Sequence, residues 1–247
     1  MKNPWINLPD KADFVLFKDK KIIDNFNNKA NSEYAIRLNI IPEPFLGSPN
    51  APIVLLNLNP GFNEQDIKIH RRKVFFELSW KNLRHEPTEY QFYLLDPKTS
   101  DSPGYQWWSK KLKRLINDVG ARFIANSFCF PTVCRKMRRK WKDIISQIGT
   151  FIVANKILCV EYFPYHSYKF KNMDRLPSRD YSEYLVKKAI KRKALIVIMR
   201  HRVEWEKAVP KLKSYKKLIV LKNPRCAHIS SRNCRKNYYK KILNELQ

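Results

Sequence analysis

Side-chain amides close three apolar runs of this chain, and each can grip a water or a heterocyclic edge without bringing charge. Pro52-Ile53-Val54-Leu55-Leu56-Asn57-Leu58-Asn59-Pro60-Gly61 ends on one Asn-Pro step, and Lys217-Leu218-Ile219-Val220-Leu221-Lys222-Asn223-Pro224-Arg225 on a second. Between them, Arg122-Phe123-Ile124-Ala125-Asn126 ends on a lone Asn. An amide presents donor and acceptor together, enough to read a pyrimidine's pairing edge. It is too weak a base to take a proton, so catalysis through such groups rests on positioning and preorganised dipoles. In open α/β sheets ligands bind just beyond the carboxyl ends of strands. Loops leaving distant strand ends can therefore meet over one crevice. The competing reading of each Asn is a turn cap or a satisfied polar strand end.

The elements that must position these amides follow from periodicity. Strands are expected at 53–58, 122–128, 156–163, 194–199 and 217–221. Helices are expected at 105–119 (Trp108, Leu112, Leu115 and Ile116 at helical spacing, closed by Gly120), 141–155, 182–191 with Ser182 as N-cap, 203–212 and 237–246. Residues 63–103 are charged and aromatic with weak periodicity, and are expected to run as a long excursion around the site. Residues 1–50 form an N-terminal extension whose Trp5, Phe14, Phe17, Ile22 and Ile23 can pack on the body. Strands alternating with helices imply a single domain over 1–247, a three-layer α/β/α fold with a mostly parallel central sheet.

Charge sets the partner. Lys plus Arg number 49 against 22 Asp plus Glu, a net charge of +27 spread along the whole chain. Such an excess attracts polyanions, DNA first and an anionic membrane surface second. Part of it also reflects solvated lysine-rich faces. The 44% hydrophobic and 13% aromatic content is that of a globular protein. Cys129, Cys134, Cys159, Cys226 and Cys234 show no metal-ligand spacing, and Cys129 and Cys159 read as reduced core residues. No metal or other cofactor is expected. No run has the apolar length of a membrane span, and no apolar leader opens the chain. The expectation is a soluble, cytoplasmic monomer that binds DNA and no membrane.

Asn57-Leu58-Asn59-Pro60-Gly61 resembles the first motif of the uracil-DNA glycosylase superfamily, closest to its mismatch-specific branch. Asn223-Pro224-Arg225 is similar to the second motif, and Phe123-Ile124-Ala125-Asn126 to the strand whose terminal Asn reads the flipped base. The element order agrees over roughly residues 50–247. Asn57 stands where the family carries Gly, and Arg225-Cys226 where Ser follows the second Pro. The resemblance implies a uracil-DNA glycosylase-like fold and a monofunctional DNA glycosylase, which hydrolyses a base from its sugar and leaves an abasic site. It implies Asn59 and Asn223 as catalytic residues, with Asn59 holding the water and Asn223 donating to the departing base or positioning the sugar; His228, five residues on, is a second candidate catalytic donor or a phosphate contact. Asn57, Gly61, Phe62, Phe75, Phe76 and Asn126 would bind the base. Arg200, Arg202, Arg225, Cys226, Ser230, Ser231 and Arg232 would contact DNA, filling the vacated stack and clamping phosphates.

The substrate is expected to be uracil or a modified pyrimidine, including a phage-modified base met in antiviral defence or a lesion met in repair. The alternative is a non-catalytic nucleic-acid-binding protein that keeps the fold. A nuclease would need clustered carboxylates for metal, and only Glu64 and Asp66 lie near the first motif. Glu161, Tyr162, Tyr165 and His166, at the end of the 156–163 strand, stand on the same side of the sheet without an assigned role.

Overall fold

Ile53–Asn57 and Ile157–Glu161 are buried at every position. Continuous burial, not alternation, marks strands covered on both faces. The computed structural model describes residues 1–127 and 137–247, without the side chains of 137–140. Its elements in chain order are α1 (Phe17–Asn27), β1 (Phe45–Leu46), β2 (Ile53–Asn57), α2 (Glu64–His70), α3 (Lys73–Leu83), α4 (Pro103–Ser127), α5 (Met137–Lys156), β3 (Ile157–Glu161), α6 (Arg179–Lys191), β4 (Leu195–Ile198), α7 (Arg202–Ala208), β5 (Leu218–Val220), α8 (Ser231–Cys234) and α9 (Lys236–Glu245).

The strands form one five-stranded sheet in the order β1-β3-β2-β4-β5, in which only β1 runs antiparallel. From β2 the chain moves to one side for β3, then returns to the other side of β2 for β4. The winding therefore reverses beside β2, where open α/β sheets hold their ligands. One face carries Leu55, Cys159, Val197 and Ile219 against Leu112, Leu115 and Ile116 of α4, Val153 of α5 and Ile242 of α9. The other carries Leu56, Val160 and Ile198 against Ile23 of α1, Leu185 of α6 and Trp205 of α7. A mostly parallel sheet packed on both faces is compatible with three α/β/α layers. Trp5, Phe14 and Ile23 join the second face, whereas Phe17 is 92% exposed at the start of α1. No helix among the described residues is long and apolar enough to cross a membrane.

The expected strand at 122–128 is instead the last turns of α4, up to Ser127, and Phe128 lies outside the described residues. Its β-favouring residues yield to a helix whose buried stripe (Trp108, Leu112, Leu115, Ile116, Val119) carries on to Ile124 while Phe123 faces solvent. Gly120 does not stop that helix. A Cβ there would come 1.9 Å from the Ile145 carbonyl oxygen, and one on Gly149 would come 2.0 Å from that of Ile116. The two glycines let α4 and α5 touch backbone to backbone. Ser182 is not an N-cap either: α6 begins at Arg179, after Pro177, and Ser182 is buried inside it. Residues 63–103 hold α2, α3 and two short 3-10 turns, Tyr93–Leu95 and Pro97–Thr99. Cys159 is buried and reduced as expected, while Cys129, Cys134 and the basic residues Arg135 and Lys136 lie outside the described residues.

Gly149→Ala should lower the unfolding free energy by about 3 kcal/mol, at the upper end of overpacking costs. Gly104→Ala meets only the flexible tip of Leu94, at 3.0 Å, and should shift it by less than about 1 kcal/mol. Urea denaturation of both variants checks the contrast.

Candidate active site

In the parallel register of β2 and β3, Asn57 lies opposite Glu161. The Asn57 amide donates from Nδ2 to Glu161 Oε1 at 2.9 Å, and both residues are buried. Each keeps one atom sealed from water and without a hydrogen-bond partner, Asn57 Oδ1 and Glu161 Oε2. These strand tips help line a crevice of about 510 Å³.

The rest of the crevice grows from the loop after β2. Gly61 adopts φ +76°, a left-handed conformation that favours glycine, and lets the chain turn back across the opening. His166 lies with Nδ1 2.8 Å from the Gly61 carbonyl and Nε2 3.0 Å from that of Ile41, so its ring braces the turn. Asn59 donates from Nδ2 to Ser167 Oγ at 3.4 Å, and its Oδ1 accepts no hydrogen bond among the described residues. Asn63 and Asp66 then form a capping box: Asn63 Oδ1 accepts from the Gln65 N–H at 2.9 Å, and Asp66 Oδ2 from the Asn63 N–H at 2.7 Å. That cap starts α2, and one turn separates Asp66 from His70, so both meet the crevice. Phe75 of α3 and Trp107 and Trp108 of α4 supply aromatic wall, with Phe62 and Tyr168 edge to face at 4.8 Å. Arg200, just past β4, holds its guanidinium 5.6 Å from the centre of the Trp107 ring.

Burial shapes the charge. Desolvation pushes Glu43 up to about 8, although the Tyr93 hydroxyl donates to it at 2.6 Å. Desolvation likewise raises Glu161 to about 7, opposed by the Asn57 amide, and Asp66 to about 6. It lowers His166 to about 4 against the pull of its two carbonyls, and His70 well below the usual histidine range. Near neutral pH the crevice thus holds a protonated Glu43, a half-ionised Glu161, a mostly ionised Asp66 and two neutral imidazoles. Carboxyl groups spread this way in a cleft are suited to acid–base work.

Glu43, His70 and His166 also place ligand-type atoms within 4.8 Å of one another. The fit to a metal is poor. Glu43 Oε1 is held by Tyr93, and both His166 nitrogens face backbone carbonyls. His70 Nδ1 is buried without a hydrogen-bond partner.

Of the residues expected from sequence, Asn57, Asn59, Gly61, Phe62, Phe75 and Arg200 line the crevice. Asn126 does not, because it is exposed near the end of α4 rather than on a strand tip. Phe76 points to the opposite sheet face, edge to face with Phe14. Asn223 caps its own loop: its Oδ1 accepts from the N–H groups of Arg225, at 3.0 Å, and Cys226, at 3.3 Å. His228 sits 3.1 Å from the Lys110 carbonyl through Nδ1, beside the crevice and not in its lining. Amides at 59, 126 and 223 therefore do not surround one hollow. Ser230 caps α8, Ser231 and Arg232 are exposed on it, and Arg225 and Cys226 are exposed on the loop before it. Arg202 is paired with Glu206 on α7 at 2.6 Å. Glu43, His70 and Trp107 carried no sequence signal. Glu161 and His166 did, as polar residues closing and following an apolar run.

Scans of the chain against family models, curated proteins and solved structures return no match.

The acids predict a pH dependence with a definite sign. Carboxyls whose folded pKa is raised stabilise fully below their unfolded value of 4.5 and lose that contribution as pH rises through the folded value. The buried histidines act oppositely, but only below their unfolded value of 6.5. Between about pH 6.5 and 8 stability should therefore fall, by up to about 1.4 kcal/mol per pH unit for each titrating acid. Chemical denaturation across that range checks it, and Glu43→Gln should flatten the decline.

Proposed function

We propose that the protein binds nucleic acid, draws one extruded nucleotide into the crevice beside β2, and hydrolyses its N-glycosidic bond. The observation that carries this reading is a set of differently tuned carboxyls and strand-tip amides within aromatic walls, on a chain of charge +27. The volume of about 510 Å³ admits a base of any size. The uracil-DNA glycosylase resemblance supports it through the loop Asn57–Gly61 alone, since the strand expected to end at Asn126 is part of α4. In its place the base-reading role falls in this proposal to Glu161, at the tip of β3.

In this scheme Asn59 and Asp66 hold the attacking water. Its oxygen bonds to the anomeric carbon as the carbon–nitrogen bond breaks, and the bond pair leaves on the base. Asp66, ionised at neutral pH, takes the water's proton. Glu43, protonated at neutral pH, is the reserve donor for the departing base. Trp107 and Phe62 offer faces for stacking, and Arg200 a cation for the developing negative charge. The exposed loop at 225–232 supplies backbone contacts outside the crevice. A second reading, binding without catalysis, is favoured by one observation: Asn223 spends its amide oxygen on its own loop.

Asp66→Asn and Asn59→Ala should each cut base release by about 10²–10⁴-fold. Both should leave binding, and its steep loss with salt, unchanged. Oligonucleotides bearing uracil, guanine, and damaged and phage-type modified purines and pyrimidines, cleaved at abasic sites by alkali, measure the first. Fluorescence anisotropy measures the second. Base release from none of these strands, or release undiminished in both variants, would overturn the catalytic assignment.

A further inference from the structure

Three polar groups at the crevice floor are buried without partners, and they follow the order of the strands. Glu161 Oε2 stands at the tip of β3, Asn57 Oδ1 at the tip of β2, and Arg200 Nε just beyond β4. Two are acceptors and one is a donor. Each such orphan costs about 1–3 kcal/mol of lost hydration, so a ligand that satisfies them has a large advantage. Glu161 and Asn57 are almost completely buried and bonded to each other at the ends of neighbouring strands. Arg200 lines the same crevice as Asn57 and Glu161.

From this order we infer that the crevice selects a 2-amino-6-oxopurine edge, that of guanine, over the pyrimidine edges expected from sequence. Guanine presents an exocyclic amino group, a ring N–H and a carbonyl oxygen in line, two donors followed by one acceptor. These atoms are sealed in the free protein, so an entering base must part the side chains over them; Glu161 would then accept from the amino group, Asn57 from the ring N–H, and Arg200 would donate to the carbonyl, with Trp107 and Phe62 as stacking faces. Uracil places an acceptor on each side of its single N–H, so one of its oxygens would face an acceptor of the protein. Cytosine and adenine present a ring acceptor where Asn57 also accepts. Sites that hydrogen-bond a ligand group discriminate strongly against analogues lacking it, because the protein's own buried groups are then left unpaired.

The inference rests on the proposal that the crevice receives a base, and it adds which one. A guanine edge can come from a free nucleotide or from a residue of a strand, and the two sources are separable. Isothermal titration calorimetry would compare guanosine, inosine, adenosine, cytidine and uridine monophosphates, then dT8 strands carrying one central guanosine or one central uridine. Guanosine monophosphate should bind at least ~10-fold more tightly than inosine monophosphate, which lacks only the amino group. The guanosine strand should outbind the uridine strand by a similar factor if strands are the source, and should not if free nucleotides are. Glu161→Gln should erase the guanosine-over-inosine preference while leaving the thermal unfolding midpoint near that of the parent. Equal affinity for the guanosine and inosine nucleotides, or tighter binding of uridine in both formats, would overturn the guanine assignment and leave base hydrolysis standing. Binding of no nucleotide and no strand would remove both.

Discussion

The hydrogen bond between Asn57 and Glu161 joins the sheet to its site. It exists because β2 and β3 run parallel in a register that sets the last residue of one beside the last of the other. That register is held by hydrophobic burial on both faces, where a slip of one residue would turn Leu55 and Cys159 toward the wrong helices. The pair adds little stability itself. Two polar side chains lose water, gain one bond and leave two acceptors unmet. The raised Glu161 pKa is the electrostatic record of that cost. Such debt is usual at a functional site and is carried by the surrounding core.

Around that pair, local devices set the other groups. The left-handed Gly61 turns the chain, the neutral His166 ring sits between the Gly61 and Ile41 carbonyls and donates to one of them, and the Asn63–Asp66 capping box starts α2 at the crevice. The net charge and the acidic crevice are complementary. A surface of +27 gathers polyanions from solution, while Glu43 stays neutral at neutral pH and does not repel them. An ionised cluster in the same position would oppose the approach of any anionic ligand.

Four of the five expected strands were legible, because β2, β3, β4 and β5 are short apolar runs ended by polar residues. β1, two residues long, leaves no pattern to read. The run at 122–126 misled for a physical reason. Phe123-Ile124 favours a strand locally, but a helix already packed through Gly120 and Gly149 extends more cheaply than a new strand nucleates. Reading Gly120 as a stop compounded this, since a glycine chosen for a close helix crossing looks the same in sequence as one chosen to end a helix. Asn57 through Gly61 was legible as a crevice-lining loop because Asn-Pro-Gly after an apolar strand is informative. Glu43 and His70 were not, since burial alone shifts them and burial is decided by distant partners such as Tyr93.

The loop after β5 shows how two similar tripeptides come to differ. Asn59-Pro60 opens into the crevice because Gly61 follows and can take a positive φ. Asn223-Pro224 is followed by Arg225 and Cys226, whose N–H groups turn back onto the Asn223 oxygen. The Asn233 side chain closes the same loop, accepting from the Asn223 N–H and donating to the carbonyls of Asn223 and His228. The loop is then pinned to α4, where Lys111 Nζ donates to the Cys226 carbonyl at 2.6 Å and His228 meets the Lys110 carbonyl. Lys110 lines the crevice, so the loop is held at its rim by the helix that forms the wall. A self-satisfied loop in that position is suited to carry Arg225 and Arg232 against a phosphate backbone. It cannot also lend its amide oxygen to a ligand in the crevice without first giving up the bonds that shape it.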